Sequence, residues 1–301
     1  MILFKGGDSS LSIANKFENL VKNTRTNNHD TVSERYKRIT KRINLDFRGI
    51  DSDLSYSRYV GSYGRATAIK GFSDVDILVQ LPYETYSKYN QYAGNGQSAL
   101  LQAVRNSIRK TYPNTNVGGD GQVVVIKFSD GMMFEVVPAF INKDGISYTY
   151  PDSNSEGRWR TCNPVAEINA INQLNNQYNK NVKYLVRIMK AWRIENNVPI
   201  SGMLLETLAM NFLIQYEYAN KSYFYYDWMV RDFLKYLSQQ NPEQFYWKAH
   251  GSGQQVWRKG NFEYKAKQGY LRAVEAIEDE EKYPSLANNT WRKIFGKCFI
   301  G

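Results

Sequence analysis

The sequence predicts an α+β N-terminal half and a helical C-terminal half, meeting near residue 160. Three observations carry this expectation. Short apolar runs with period-two alternation lie between Val75 and Val137, as on half-buried strands. A Ser129-Asp130-Gly131 turn joins two such runs in the manner of a hairpin. From Pro164 onward apolar residues recur every three or four positions instead, as on helices that face a core.

Taken in order, Leu11, Ile13, Phe17, Leu20 and Val21 predict a first helix over 9–22. After a polar break at 27–30, Asp30 is the expected N-cap of a second helix running to about Asn44. Ser55 to Val60 reads as a short extended entry, Val75 to Leu81 as a strand closed by Pro82, and Tyr83 to Gly96 as loop in part. Ser98 to Thr111 predicts a helix stopped by Pro113. Val123 to Phe128 and Met132 to Val137 are the paired strands of the hairpin. Asn163 is the expected N-cap of a helix with Pro164 at its first position. Helices over 180–196, 202–218, 227–237 and 262–280 follow, and no internal repeat is visible. Domains of 1–160 and 161–301 result, forming one bilobed unit.

Composition narrows the class. With 42% hydrophobic residues, 23 Tyr, 14 Phe and 6 Trp in 301 residues, the chain is expected to fold around a sizeable core. No apolar run approaches the roughly 20 residues of a membrane helix, and Met1 to Lys5 lacks signal-peptide character. Cys162 and Cys298 are far apart and have no metal-ligand spacing. A cytoplasmic protein without membrane partners is expected. The net charge of +10 points to an anionic partner but does not choose among nucleotides, nucleic acid and membrane surface.

The chemistry is concentrated in Gly61-Ser62-Tyr63-Gly64-Arg65 and the Asp74-Val75-Asp76-Ile77-Leu78-Val79 run that follows. Residues i and i+2 of a strand share a face, so Asp74 and Asp76 project side by side. Like charges that close call for a cation. Mg²⁺ suits them, because it takes hard oxygen ligands and favours carboxylates combined with substrate phosphates. A Gly-Ser turn supplies free N–H groups and a hydroxyl for phosphate. The strand alone is ambiguous, since Asp74 as a cap and Asp76 as a solvent-facing residue explain it too; the preceding turn decides for nucleotidyl transfer. Glu135, an isolated acid within Met133-Phe134-Glu135-Val136-Val137-Pro138, is the candidate third carboxylate, as metal ligand or as base for the attacking hydroxyl. The competing reading has Glu135 facing solvent on an alternating strand.

Gly-Ser turn, Asp-x-Asp strand and later acidic strand together resemble the DNA polymerase β-like nucleotidyltransferase superfamily. More specifically, the chain resembles the bacterial CD-NTases, relatives of cyclic GMP-AMP synthase and oligoadenylate synthase. The closer likeness lies in Phe134-Glu135-Val136-Val137-Pro138-Ala139-Phe140, Pro151-Asp152, Gly157-Arg158-Trp159-Arg160-Thr161, Asn163-Pro164, Lys190-Ala191-Trp192-Arg193 and Ser201-Gly202-Met203-Leu204-Leu205-Glu206. It covers roughly Ser55 to Leu208, and aspartate is commoner than glutamate at the position of Glu135. The resemblance implies a polymerase β-like catalytic sheet with N-terminal spine helices, packed on a helical lobe. It implies two Mg²⁺ ions, replaceable by Mn²⁺, held by Asp74, Asp76 and Glu135.

NTPs are the implied substrates and a cyclic or short linear oligonucleotide second messenger the implied product, made in antiphage signalling and sensed by a downstream effector. Gly61 and Ser62 would cradle phosphates. Arg65 either reaches phosphate or is a surface arginine. Lys190 and Ser201 would contact the triphosphate; their bland alternatives are a snorkelling lysine and a helix N-cap. Asn163 would meet a base edge, with N-capping as the simpler account. Tyr148, Tyr150, Trp159 and Tyr218 are aromatic candidates for the base. No Cys/His insertion is present, so a nucleic-acid activator is not favoured. An enzyme extending RNA ends and a non-catalytic nucleotide-binding module are the competing functions.

Overall fold

The computed structural model describes residues 11–72 and 74–301. Eleven helices and nine strands are present among the described residues: α1 (Ile13–Asn23), α2 (His29–Arg48), β1 (Ser57–Tyr59), α3 (Gly61–Gly64), β2 (Val75–Gln80), α4 (Tyr83–Asn90), α5 (Gly96–Thr111), β3 (Asn116–Asp120), β4 (Val123–Lys127), β5 (Met133–Ile141), β6 (Tyr148–Asp152), β7 (Arg158–Cys162), α6 (Pro164–Gln177), α7 (Asn181–Glu195), α8 (Gly202–Gln215), α9 (Tyr226–Ser238), β8 (Tyr246–Lys248), β9 (Gln255–Trp257), α10 (Glu263–Asp279) and α11 (Pro284–Phe295). They form two compact units. One comprises Thr26–Asn172 with His250–Gln254; the other comprises the described residues up to Arg25, then Gln173–Ala249 and Gln255–Gly301. The chain thus passes between units inside α6, whereas the sequence suggested residue 160, and α1 groups with the C-terminal helices.

The first unit is built on a seven-stranded sheet, ordered β1-β2-β5-β4-β3, with β6 on the far end of β5 and β7 beside β6. β2 and β5 are parallel, and their neighbours run antiparallel. Alternation assigns the faces. Val75, Ile77, Val79, Phe134 and Val136 point into a core closed by Val32, Tyr36, Ile39 and Ile43 of α2 and Leu100, Leu101, Val104 and Ile108 of α5. The intervening residues, Asp76 and Glu135 among them, occupy the other face. Burying each of these core side chains contributes roughly 1.5–3 kcal/mol.

The helical unit is anchored on aromatic residues. Phe17 of α1 is fully buried and meets Trp291 of α11 edge to face, with ring centroids 5.1 Å apart. Lys16 pairs with Glu280 at 2.6 Å. Among the described residues no helix is long and apolar enough to cross a membrane.

Several local expectations are corrected. α2 begins at His29, so Asp30 lies in its first turn, where its charge complements the helix dipole, and is not the N-cap. Part of the expected loop after Pro82 is α4. β3, β6, β7, the β8–β9 hairpin and α11 complete the fold beyond the elements read from the sequence.

Candidate active site

The parallel pairing of β2 with β5 sets Asp76 directly opposite Glu135. Directly paired residues share a face and stand about 4.8 Å apart along the hydrogen-bonding direction. Asp74, two residues earlier, lies at the mouth of the same strand. The three acids act on one another. Burial raises Asp76 to about 7, the charge of Glu135 adds to the rise, and Arg65 opposes it. Burial likewise raises Glu135, helped by the charge of Asp74, and Asp76 is hydrogen-bonded to it. Burial raises Asp74 as well. A carboxyl–carboxylate hydrogen bond of this kind keeps a proton between two acids that lack sufficient counter-charge.

The turn read as a phosphate cradle approaches these acids closely. Gly61 has φ +56°, and a Cβ there would overlap Oδ2 of Asp76 and sit 2.5 Å from its Cγ. Only glycine lets the backbone come that near. Ser62 follows in α3, whose backbone turns over Val60, with Gly64 N–H bonded to Val60 O at 2.8 Å.

Arg65, from the same turn, is 8% exposed and pairs through Nη1 with Glu167 Oε2 at 3.2 Å, so it is not a surface arginine. Asn163 accepts a hydrogen bond from Ala166 N at 3.0 Å and thereby caps α6, as its sequence position suggested.

Beyond Asp76 and Glu135 on the same sheet face lies a cavity of about 220 Å³. Its floor is Leu78, Val123 and Val137; Tyr150, Gln122 and Gln254 stand at its sides. Of the aromatic candidates for a base, Tyr150 is the one that lines this cavity. Tyr148 is core, and Trp159 packs on Tyr86 and Phe140.

In the helical unit, Lys190 is 5% exposed and bonded to Glu206 at 2.8 Å, which excludes a freely snorkelling lysine. Ser201 caps α8 by accepting from Leu204 N at 3.1 Å. A Cβ on the next residue, Gly202, would lie 3.5 Å from Lys190 Cε, so Lys190, Ser201 and Glu206 belong to one local cluster.

The donor set of Asp74, Asp76 and Glu135 is all oxygen, and the acids share an unneutralised charge; both properties fit Mg²⁺. Among the described residues no group of three or more His, Cys, Asp or Glu side chains is arranged so that it could hold a metal ion by itself.

Comparison with known proteins agrees with this geometry. The model of the Second Messenger Oligonucleotide or Dinucleotide Synthetase (SMODS) domain matches residues 11–175, more than half of the chain. The chain belongs to that family. It is a nucleotidyltransferase of the CD-NTase kind, with the polymerase β-like fold. A probable cyclic nucleotide synthase of Bacillus cereus (strain VD146) is 22% identical over 79% of this chain and 80% of its own length. A cyclic AMP-AMP-AMP synthase of Acinetobacter sp. is 28% identical over 55% of this chain, which spans about half, 48%, of that relative.

Among solved structures, E. coli CdnC in its HORMA complex superposes with a TM-score of 0.69 at 17% identity, covering 96% of this chain and 98% of that one. Bradyrhizobium diazoefficiens CdnG, solved with GTP, gives 0.69 at 13%, covering 96% of each. Vibrio cholerae DncV, a cyclic AMP-GMP synthase, gives 0.63 at 14%, covering 96% and 88%. At these identities the superpositions establish the fold.

Two residues without an assigned role in the sequence reading belong to the site region. Glu167 lies in the first turn of α6, and Ser252 is 85 positions away. Only the charge of Glu167, next to an N-cap, distinguished it in the sequence; Ser252 carried no signal.

Proposed function

We propose that this SMODS protein joins NTPs into a cyclic or short linear oligonucleotide second messenger in a divalent-metal-dependent reaction, as part of antiphage signalling. The observation that carries the chemistry is the Asp76–Glu135 pair set against the Gly61 turn. The names of the relatives and the sequence resemblance support the product class and the signalling role.

In this reading, Asp74, Asp76 and Glu135 would hold Mg²⁺ together with substrate phosphates, and the ion would supply charge neutralisation at the reacting phosphate and lower the pKa of the attacking hydroxyl. Glu135, paired with Asp76 across the β2–β5 register, accepts the proton of the attacking 2′- or 3′-hydroxyl of one nucleotide. The oxygen of that hydroxyl bonds to the α-phosphorus of the second nucleotide, and the bond to pyrophosphate breaks. The N–H groups around Gly61 and Ser62, with the Ser62 hydroxyl, orient the phosphates so that attack is in line. Lys190 and Ser201 supply further triphosphate contacts. The cavity over Leu78, Val123 and Val137 takes part of a base, with Tyr150 at its side.

The test is incubation of purified protein with all four NTPs and Mg²⁺ or Mn²⁺, followed by phosphatase treatment and mass spectrometry. Phosphatase-resistant dinucleotide or trinucleotide masses are expected, and Asp74→Ala/Asp76→Ala should abolish them. Long radiolabelled polymer, or unchanged product from the double variant, would overturn the reading.

A further inference from the structure

Arg65 closes the turn whose Gly61 backbone lies against Asp76, its N–H bonded to Gly61 O at 3.1 Å, and its guanidinium is held by Glu167. The other oxygen of Glu167 is occupied too. Ser252 Oγ donates to Oε1 at 2.8 Å, while Oε2 faces Arg65. With both oxygens engaged, the broad terminal torsion of the glutamate is fixed.

The turn that brings Ser252 here is itself fixed at both ends. Gly251 has φ +83°, and a Cβ on it would sit 2.5 Å from the carbonyl carbon of Ala166, so its backbone lies against the first turn of α6. Gln254 Nε2 donates to Thr161 O at 2.6 Å. These residues, His250–Gln254, are the segment that joins the catalytic unit from far along the chain.

We propose that this turn is a positioning element of the nucleotidyl-transfer site: Ser252 orients Glu167, and Glu167 orients Arg65 against Asp76. The inference rests on the proposed role of Asp76. None of the three residues needs to touch substrate, because the effect travels through one oriented guanidinium. Arginine suits this position, since its planar fork engages a carboxylate directionally, which the point charge of lysine does not do.

Kinetics and side-chain NMR test it together. Ser252→Ala should lower kcat about tenfold, the scale expected when a hydrogen bond to a charged group is lost. KM for NTP, and binding of a non-hydrolysable NTP analogue, should change less than about twofold. Ser252→Thr, which keeps the hydroxyl, should recover to within about threefold of wild type, and Gly251→Ala should lose at least as much as Ser252→Ala. In a double-mutant cycle, adding Ser252→Ala to Glu167→Gln should cost nothing further, because residues of one network are not additive.

Unaltered kcat in Ser252→Ala, multiplicative losses in the cycle, or an inactive Ser252→Thr would overturn the proposal. A second readout is independent of turnover. Nitrogen-15 spectra of the arginine side chains should show slowed rotation of the Arg65 guanidinium in wild type and averaged signals in Ser252→Ala. If wild type makes no product, the proposed function fails, while the Arg65 spectrum still decides this inference; an averaged signal already in wild type would overturn it.

Discussion

Gly61→Ala is the sharpest perturbation of the site, because the added methyl group runs into a carboxylate of the proposed metal site. The added Cβ would sit 2.5 Å from Asp76 Cγ and 2.9 Å from its Cβ, where ordinary contacts begin at 3.4 Å. Turn and carboxylate must therefore separate by at least roughly 0.9 Å. A displacement near 1 Å of reacting groups costs about 10²-fold in rate, equivalent to ~2.7 kcal/mol of barrier. Alanine at φ +56° adds about 1–2 kcal/mol of backbone strain.

Asp76 lies on the face of β2 opposite the main core, so the fold itself should survive. The assay pairs product formation under saturating NTP with thermal melting followed by circular dichroism. kcat is expected to fall about 100-fold, with a decrease in melting temperature of only a few degrees. A Gly61→Ala protein with kcat within threefold of wild type would show that the turn and Asp76 do not work in concert. Loss of folded protein would show instead that the turn is a stability element.

Three further outcomes follow from other parts of the molecule. Chelation should stop product formation, Mg²⁺ or Mn²⁺ should restore it, and calorimetric titration of Mn²⁺ should lose its binding signal in Asp74→Ala/Asp76→Ala. Lys190→Met should destabilise the helical unit by about 1.5–3 kcal/mol, because the buried Glu206 loses a charged hydrogen-bond partner; adding Glu206→Leu should restore the melting temperature but not the activity. Asp227 is raised to about 6, mainly by burial, so the native state holds more protons than the unfolded chain between about pH 4 and pH 6. Its contribution to stability is therefore most favourable below pH 4 and declines as pH rises through 6. Asp227→Asn should remove that decline and gain about 1–3 kcal/mol at pH 8 in urea titrations.

The sheet and its acids were legible because alternation is a local signal. Val75, Ile77 and Val79 mark one face of β2, and Asp74 and Asp76 mark the other, without knowledge of any partner. β3 was not legible, since Asn116-Val117-Gly118-Gly119-Asp120 offers a single apolar side chain and two glycines, and its strand character comes from pairing with β4. α4 was hidden by a Tyr- and Asn-rich composition that suits a loop as well as a helix. The N-cap roles of Asn163 and Ser201 were readable from position alone, whereas the buried partners of Arg65 and Lys190 were not. Those partners, Glu167 and Glu206, lie 102 and 16 residues away, and such contacts are fixed by tertiary packing.

The strand pairing also explains how the protein tolerates acids that repel. Holding Asp76 and Glu135 in register, both raised by burial, destabilises the empty sheet. Slipping β2 by one residue against β5 would separate them, yet it would turn Val75, Ile77 and Val79 away from the core and bury Asp76 in their place. Those three side chains contribute roughly 5–9 kcal/mol. The core therefore wins, and the acids remain paired, with their repulsion relieved only in part by the shared proton. A cation arriving with nucleotide phosphates removes that repulsion, so the same register that destabilises the empty site favours the loaded one. Under the proposed function, binding energy for metal and triphosphate would in this sense be stored in the hydrophobic face of the sheet, on the side opposite Asp76 and Glu135.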